Sequence, residues 1–244
     1  MRLLTSLTLA ATALLLTNCH DVPNESFDDL VIRYDATGRY HTGPTIYASS
    51  PILIYTQNGV INNKAQVDRF LARRPWAAGY FSHTDVPVGN TTLTLTFRSA
   101  NRATLTTTTP TSVDSIRTEI TDRTPGALLL RQLDTARVMM PITTGCMTRV
   151  NQLAEAVLQA RHDKTCQAMP PVTGYSQYCQ VRRVRVLKAR AKDLSIPLFS
   201  YLVQSGGCQT AYTGEWNMLS ETLPSLLGTG DTVVVQEREI PLLR

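Results

Sequence analysis

The chain has 244 residues and a formal net charge of +5, and arginine supplies 20 of its 24 basic residues. That length is ample for a buried core, and so mild a basic excess does not argue for a nucleic-acid partner. After residue 19 no stretch approaches the ~20 apolar residues of a membrane-spanning helix.

Taken in chain order, the first element is an address. Met1-Arg2 forms a basic tip, and Leu3 to Leu16 form an apolar run broken only by small and hydroxyl residues. The run is too short to cross a bilayer and has the build of an export signal. Leu16-Thr17-Asn18-Cys19 follows, and these four residues resemble the lipobox of bacterial lipoprotein precursors, with Asn18 where Gly, Ala or Ser is usual. The resemblance implies that residues 1–18 are a signal peptide and that Cys19 is acylated and becomes the first residue. It also implies a membrane-anchored protein on the periplasmic or surface face of the cell envelope. Acyl chains hold well because each buried methylene contributes about 0.8 kcal/mol. Ala11-Thr12-Ala13 offers ordinary signal-peptidase cleavage as the alternative, which would leave Leu14 to Leu16 at a new N-terminus.

Residues 19–26 read as a short polar tether and 27–244 as one mainly-β domain. Leu30 to Tyr34 and Ile52 to Tyr55 are strand-like, and Asn58-Gly59 before Val60-Ile61 signals a hairpin. Asn62-Asn63 caps an expected helix over Lys64 to Arg73, with Val67, Phe70 and Leu71 on one face and Pro75 as its stop. From Thr91 the period becomes two. Leu93, Leu95 and Phe97 alternate with threonines, and Ala103, Leu105 and Thr107 repeat the pattern after a turn near Ser99 to Arg102. Ile116, Thr118 and Ile120 continue it, as does Ala127 to Leu133 after Pro125-Gly126. Alternation of this kind marks an antiparallel sheet with one wet face. Thr148 to Arg161 breaks the series: Val150, Leu153, Ala154, Val157 and Leu158 make the stripe of an amphipathic helix. Strands are then expected at Val181 to Ala191, Pro197 to Val203, Ala211 to Met218 and Thr232 to Leu242.

With Cys19 assigned to lipid, Cys146, Cys166, Cys179 and Cys208 remain, and four cysteines in an exported chain suggest two disulfides. A hairpin turning around Asp193-Leu194 would set Cys179 opposite Cys208 and leave Cys146 to pair with Cys166 across the helix. Gly206-Gly207 before Cys208 reads as a turn leading to a bridged cysteine.

The densest charge cluster is Arg182, Arg183, Arg185, Lys188, Arg190 and Lys192. On one strand Arg183 and Arg185 point one way and Lys188 and Arg190 the other. Arg183, Arg185, Lys188 and Arg190 are therefore the candidate anion contacts, for phosphate head groups or acidic glycans, against the plainer reading of a charged edge that discourages pairing. His41, His83 and His162 are isolated and show no metal-ligand spacing, so neither metal nor cofactor is expected, and no catalytic residue is assigned. Gly214-Glu215-Trp216 resembles the Gly-x-Trp of lipocalins, although in that family the motif opens the first strand. Trp76 with Tyr80-Phe81 forms a second aromatic patch, either lining a pocket or closing the core.

The whole reads as about ten antiparallel strands in a barrel or sandwich, lipocalin-like as an alternative, with two peripheral helices. The expected role is non-catalytic: a lipid-anchored module for a small apolar ligand, a glycan or another envelope protein. The alternative is an exported hydrolase with a dispersed site.

Overall fold

The computed structural model describes residues 38–48, 50–124, 126–170, 174–190 and 193–244. The signal, Cys19, the tether, Leu30 to Tyr34, Pro125 and Lys192 lie outside the described residues. The chain is mainly β, with sixteen strands and four helices among the described residues. The strands are β1 (Arg39–Thr42), β2 (Thr45–Ile46), β3 (Leu53–Thr56), β4 (Gly59–Ile61), β5 (Val86–Pro87), β6 (Thr92–Ser99), β7 (Arg102–Thr108) and β8 (Val113–Thr124). There follow β9 (Ala127–Gln132), β10 (Ala136–Pro141), β11 (Asp163–Ala168), β12 (Tyr175–Arg182), β13 (Val184–Arg190), β14 (Asp193–Ser205), β15 (Cys208–Trp216) and β16 (Asp231–Leu243). The helices are α1 (Lys64–Ala72), α2 (Pro75–Ala78), α3 (Cys146–Val157) and α4 (Leu223–Leu226).

Eight strands close an antiparallel barrel in the order β14-β13-β9-β8-β7-β6-β1-β16, and pairing of β16 with β14 joins the ends. Its wall from β6 to β9 follows the period-two pattern. Leu95, Phe97, Ala103 and Leu105 are buried inside, while Thr94 faces Thr106 and Thr96 faces Thr104 on the outer surface. Cross-strand threonine pairs suit that half-wet surface. Leu128, Leu130, Leu187, Leu194, Ile196 and Leu242 fill the interior, as is usual for a barrel of eight strands.

β14 and β16 are both 13 residues long and outrun the barrel. Their far halves form a second sheet in the order β4-β3-β16-β14-β15. Leu202 and Val234 on one of its faces pack with Val67 and Leu71 of α1. Phe199, Tyr201, Val203, Val233 and Val235 on the other meet Val150, Leu153, Ala154 and Val157 of α3. Burial on both faces explains the near-continuous apolar run of β14, where a one-sided strand would alternate.

Both expected helices are present. Asn63 caps α1, its side-chain oxygen accepting from the Gln66 N–H at 3.2 Å. Pro75 does more than stop that helix: it opens α2 from the first position, where its missing N–H costs nothing. The short helices α2 and α4 were not expected, nor were β1, β2, β5, β10, β11 and the part of β12 before Val181.

The disulfide pairing is the main correction. Cys146 joins Cys208 with Cα atoms 5.6 Å apart, and Cys166 joins Cys179 at 4.1 Å. The expected register failed for two reasons. The β13–β14 hairpin sets Lys188 against Ser195 and Ala189 against Leu194, so it turns two residues earlier than assumed. Val181 to Ala191 is also two strands, because the chain changes sheets at Arg183 and carries Cys179 into the separate sheet β10-β12-β11. There Cys179 lies directly opposite Cys166. The turn before Cys208 is as expected, with Gly206 at φ +57° and Ser205 paired to Cys208.

Candidate functional site at the barrel mouth

β13 leaves β14 soon after their hairpin: their pairing ends at Lys188 and Ser195, and the earlier residues Val184 to Leu187 pair only with β9. The end of β15 takes the place beside β14, with Trp216 opposite Leu198. A bulge aims it there. Phe199 pairs with Glu215 and Tyr201 with Tyr212, so Thr213 and Gly214 together oppose Ser200, and Gly214 adopts φ +77°. Trp216 thereby packs against the barrel core.

At this split in the wall lies a cavity of about 330 Å³. Leu93, Leu105 and Ile116 come to it from β6, β7 and β8, Arg185 from β13, and Glu215 and Trp216 from β15. Arg183 and His162 complete it from the connections on either side of the small sheet. Two ties hold this rim. Arg131 on β9 bonds Glu119 and reaches the Asp163 carboxylate at 3.0 Å, fixing the residue next to His162. Buried Asn217 accepts from the Ala160 N–H at 3.0 Å and donates to its carbonyl at 2.9 Å. That second tie clamps the approach to His162 against the end of β15.

The electrostatics of the cavity are uneven. Arg185 is largely buried, and burial followed by the like charge of Arg183 draws its guanidinium below its ordinary value, against the pull of Glu215. Its Cζ lies 5.5 Å from the centre of the Trp216 ring, within cation–π range. Its Nη1 is shut off from solvent and has no hydrogen-bond partner among the described residues. Burial also holds His162 below its ordinary value, opposed by Glu215 and reinforced by Arg183, Arg185 and Lys164. His162 Nδ1 accepts from the Val184 N–H at 3.1 Å, so the neutral ring carries its proton on Nε2. Arg238 of β16 places its Nη2 3.4 Å from Thr213 Oγ1, and its Nε is buried with no hydrogen-bond partner among the described residues.

Of the four candidate anion contacts, Arg183 and Arg185 share this cavity. Lys188 lies on the opposite face of β13 and ion-pairs Glu237, and the side chain of Arg190 is outside the described residues. β13 is paired with β14 only from Lys188 to Arg190, so its Val184 to Leu187 half, which carries Arg185, keeps one edge unpaired where the wall splits. His41 bonds Thr94 Oγ1 at 3.0 Å on the surface. His83 meets Asp68 at 2.7 Å, but neighbouring Ser82 turns its hydroxyl to the Thr84 carbonyl at 2.8 Å. No group of three or more His, Cys, Asp or Glu among the described residues is placed to hold a metal. The second aromatic patch is divided: Phe81 is buried in the core, and Trp76 is exposed beside an open groove of about 450 Å³ with Arg73 and Gln209.

Glu215 and Trp216 were visible in the sequence only through the Gly-x-Trp triplet, and His162 only as an isolated histidine. Arg238 was not singled out. The one sequence signal for it is Ser200, a hydroxyl in the middle of the apolar run of β14 that sits 3.3 Å from the Arg238 guanidinium.

No family model matches the chain, and no match was found among curated proteins or solved structures.

Proposed function

We propose that this chain is a lipid-anchored envelope protein that binds a small ligand at the barrel mouth without transforming it. The observation that carries the reading is the 330 Å³ cavity, set over an otherwise filled barrel. It falls within the size range of small-molecule sites, and its mainly polar lining, with His162, Arg183, Arg185 and Glu215, includes a smaller apolar part from Leu93, Ile116 and Trp216. The barrel keeps its apolar side inward and presents threonines outward, which suits a water-facing module, since a membrane barrel has the reverse polarity. The anchor rests on the signal and lipobox resemblance of residues 1–19.

Intact mass spectrometry of the natively purified protein tests both halves. The expected species begins at an acylated Cys19 and, under non-denaturing conditions, carries a small-molecule adduct. A chain beginning at an unmodified Met1 would remove the anchor, and the absence of any adduct or added ligand bound would remove the binding role.

A further inference from the structure

Arg185 lines the cavity and its guanidinium has no hydrogen-bond partner among the described residues. Nη1 is sealed from solvent, so Nε and Nη2 are the nitrogens a cavity ligand can reach, and desolvating such a group is costly when no acceptor repays it. The cation–π contact with Trp216 offsets part of this cost but satisfies no N–H. Nor does the protein balance the charge. Arg185 and Arg183 line the cavity, Arg238 reaches Thr213 on its wall, and the only carboxylate among the lining residues is Glu215, which forms no ion pair with any of them.

We propose that the mouth cavity holds an oxoanion, a carboxylate or a phosphate ester, carried on a short apolar body, with Arg185 as its principal contact. The inference rests on the ligand-binding reading above and names the class of ligand. An oxoanion supplies the paired in-plane acceptors that suit the Nε–Nη2 edge of the guanidinium, the edge left open when Nη1 is sealed. The short hydrocarbon of such a ligand lies against Leu93 and Ile116, the partly exposed apolar side chains of the lining, and Arg183 adds attraction from the exposed rim. The Nε2–H of neutral His162 is a further donor. Glu215 repels the anion and sets the upper limit on its affinity.

The test uses the two tryptophans of the chain. In a Trp76→Phe background the emission of Trp216 reports on the cavity alone. Octanoate, octyl phosphate, octanol and inorganic phosphate are titrated against the purified full chain. At least one of the two amphiphilic anions should saturate the signal ten- to a hundred-fold more tightly than octanol, the range expected for charge-assisted hydrogen bonds to a buried guanidinium. The tighter of the two identifies the head group, and inorganic phosphate alone should bind weakly. Arg185→Met should bring anion and alcohol within about twofold of each other while melting no lower than the parent, since it keeps the buried stem and removes an unpaired charge. Glu215→Gln should tighten the anion several-fold, a readout that holds even if the arginine variant does not fold. Octanol binding as tightly as both anions would overturn the inference and leave the ligand-binding reading standing. An anion preference that survives Arg185→Met would overturn the assignment of the contact, and silence toward all four probes would overturn the binding reading with it.

Discussion

Replacing Asp231 by alanine should be the most damaging single charge removal in the second sheet. Its side chain is 4% exposed at the start of β16, and one of its oxygens accepts from Arg149 Nε at 3.1 Å, from Arg149 Nη2 at 2.7 Å and from the Gly228 N–H at 2.9 Å. These bonds tie α3 and the turn after α4 to the central strands. Breaking a fully buried ion pair by removing one partner costs about 3–5 kcal/mol. Arg149 is 39% exposed and can rehydrate in part, so a loss of about 2–3 kcal/mol is expected at pH 7. The pH dependence has a definite sign. Burial raises the Asp231 carboxyl, but the Arg149, Gly228 and Ser205 hydrogen bonds outweigh it and hold the group below its ordinary value. Such a group contributes fully above the unfolded-state value of about 3.9, and its contribution disappears as pH falls through the lower folded value. Urea unfolding of the parent and Asp231→Ala at pH 7, and at steps below pH 4, measures both effects. The difference should narrow on acidification, and Arg149→Met combined with Asp231→Leu should recover much of the loss, because no charge is left unpaired. A difference under about 0.5 kcal/mol at pH 7, or one unchanged down to pH 2.5, would refute the reasoning.

The two disulfides close loops with sequence separations of 62 and 13, so removing Cys146–Cys208 should cost ~4 kcal/mol and removing Cys166–Cys179 ~3 kcal/mol. Denaturation of the paired alanine variants checks the order, and a non-reducing peptide map that links Cys179 to Cys208 would contradict the connectivity. Gly214→Ala meets no atom within 4 Å of the new Cβ, so its cost is backbone strain at φ +77°, about 1–2 kcal/mol. Its Trp216 emission should also shift as the bulge relaxes; an unchanged spectrum and unchanged stability would count against the bulge as the aiming device. His162 is held below its ordinary value, so the unfolded chain takes up the proton first and stability should fall as pH drops below about 6.5, levelling once the folded form protonates. Melting temperatures of parent and His162→Gln between pH 5 and 7.5 measure this, and equal slopes in the two proteins would dismiss it.

Local pattern was enough for the parts of the fold that depend on near neighbours. The alternation from Leu93 to Leu105 identified β6 and β7 with the correct face inward, and the stripe from Val150 to Val157 identified α3. Asn63 signalled the start of α1, and the cysteine count signalled two bridges. Each of these is carried by residues a few positions apart, through side-chain period, capping or simple parity. β10, β11 and β12 were illegible because they are largely exposed and have little apolar period to read.

The disulfide partners and the mouth cavity belong to another level. Both depend on Arg183, where one apparent strand divides between two sheets, and on a two-residue shift in the β13–β14 turn. Strand pairing is a contest among distant segments, and a shift in register changes which residues face one another without altering the alternation along either strand. Arg185 is therefore the same kind of residue in sequence as Arg182 or Lys188, and only closure of the barrel buries it against Trp216 and Glu215 while leaving Lys188 to pair with Glu237.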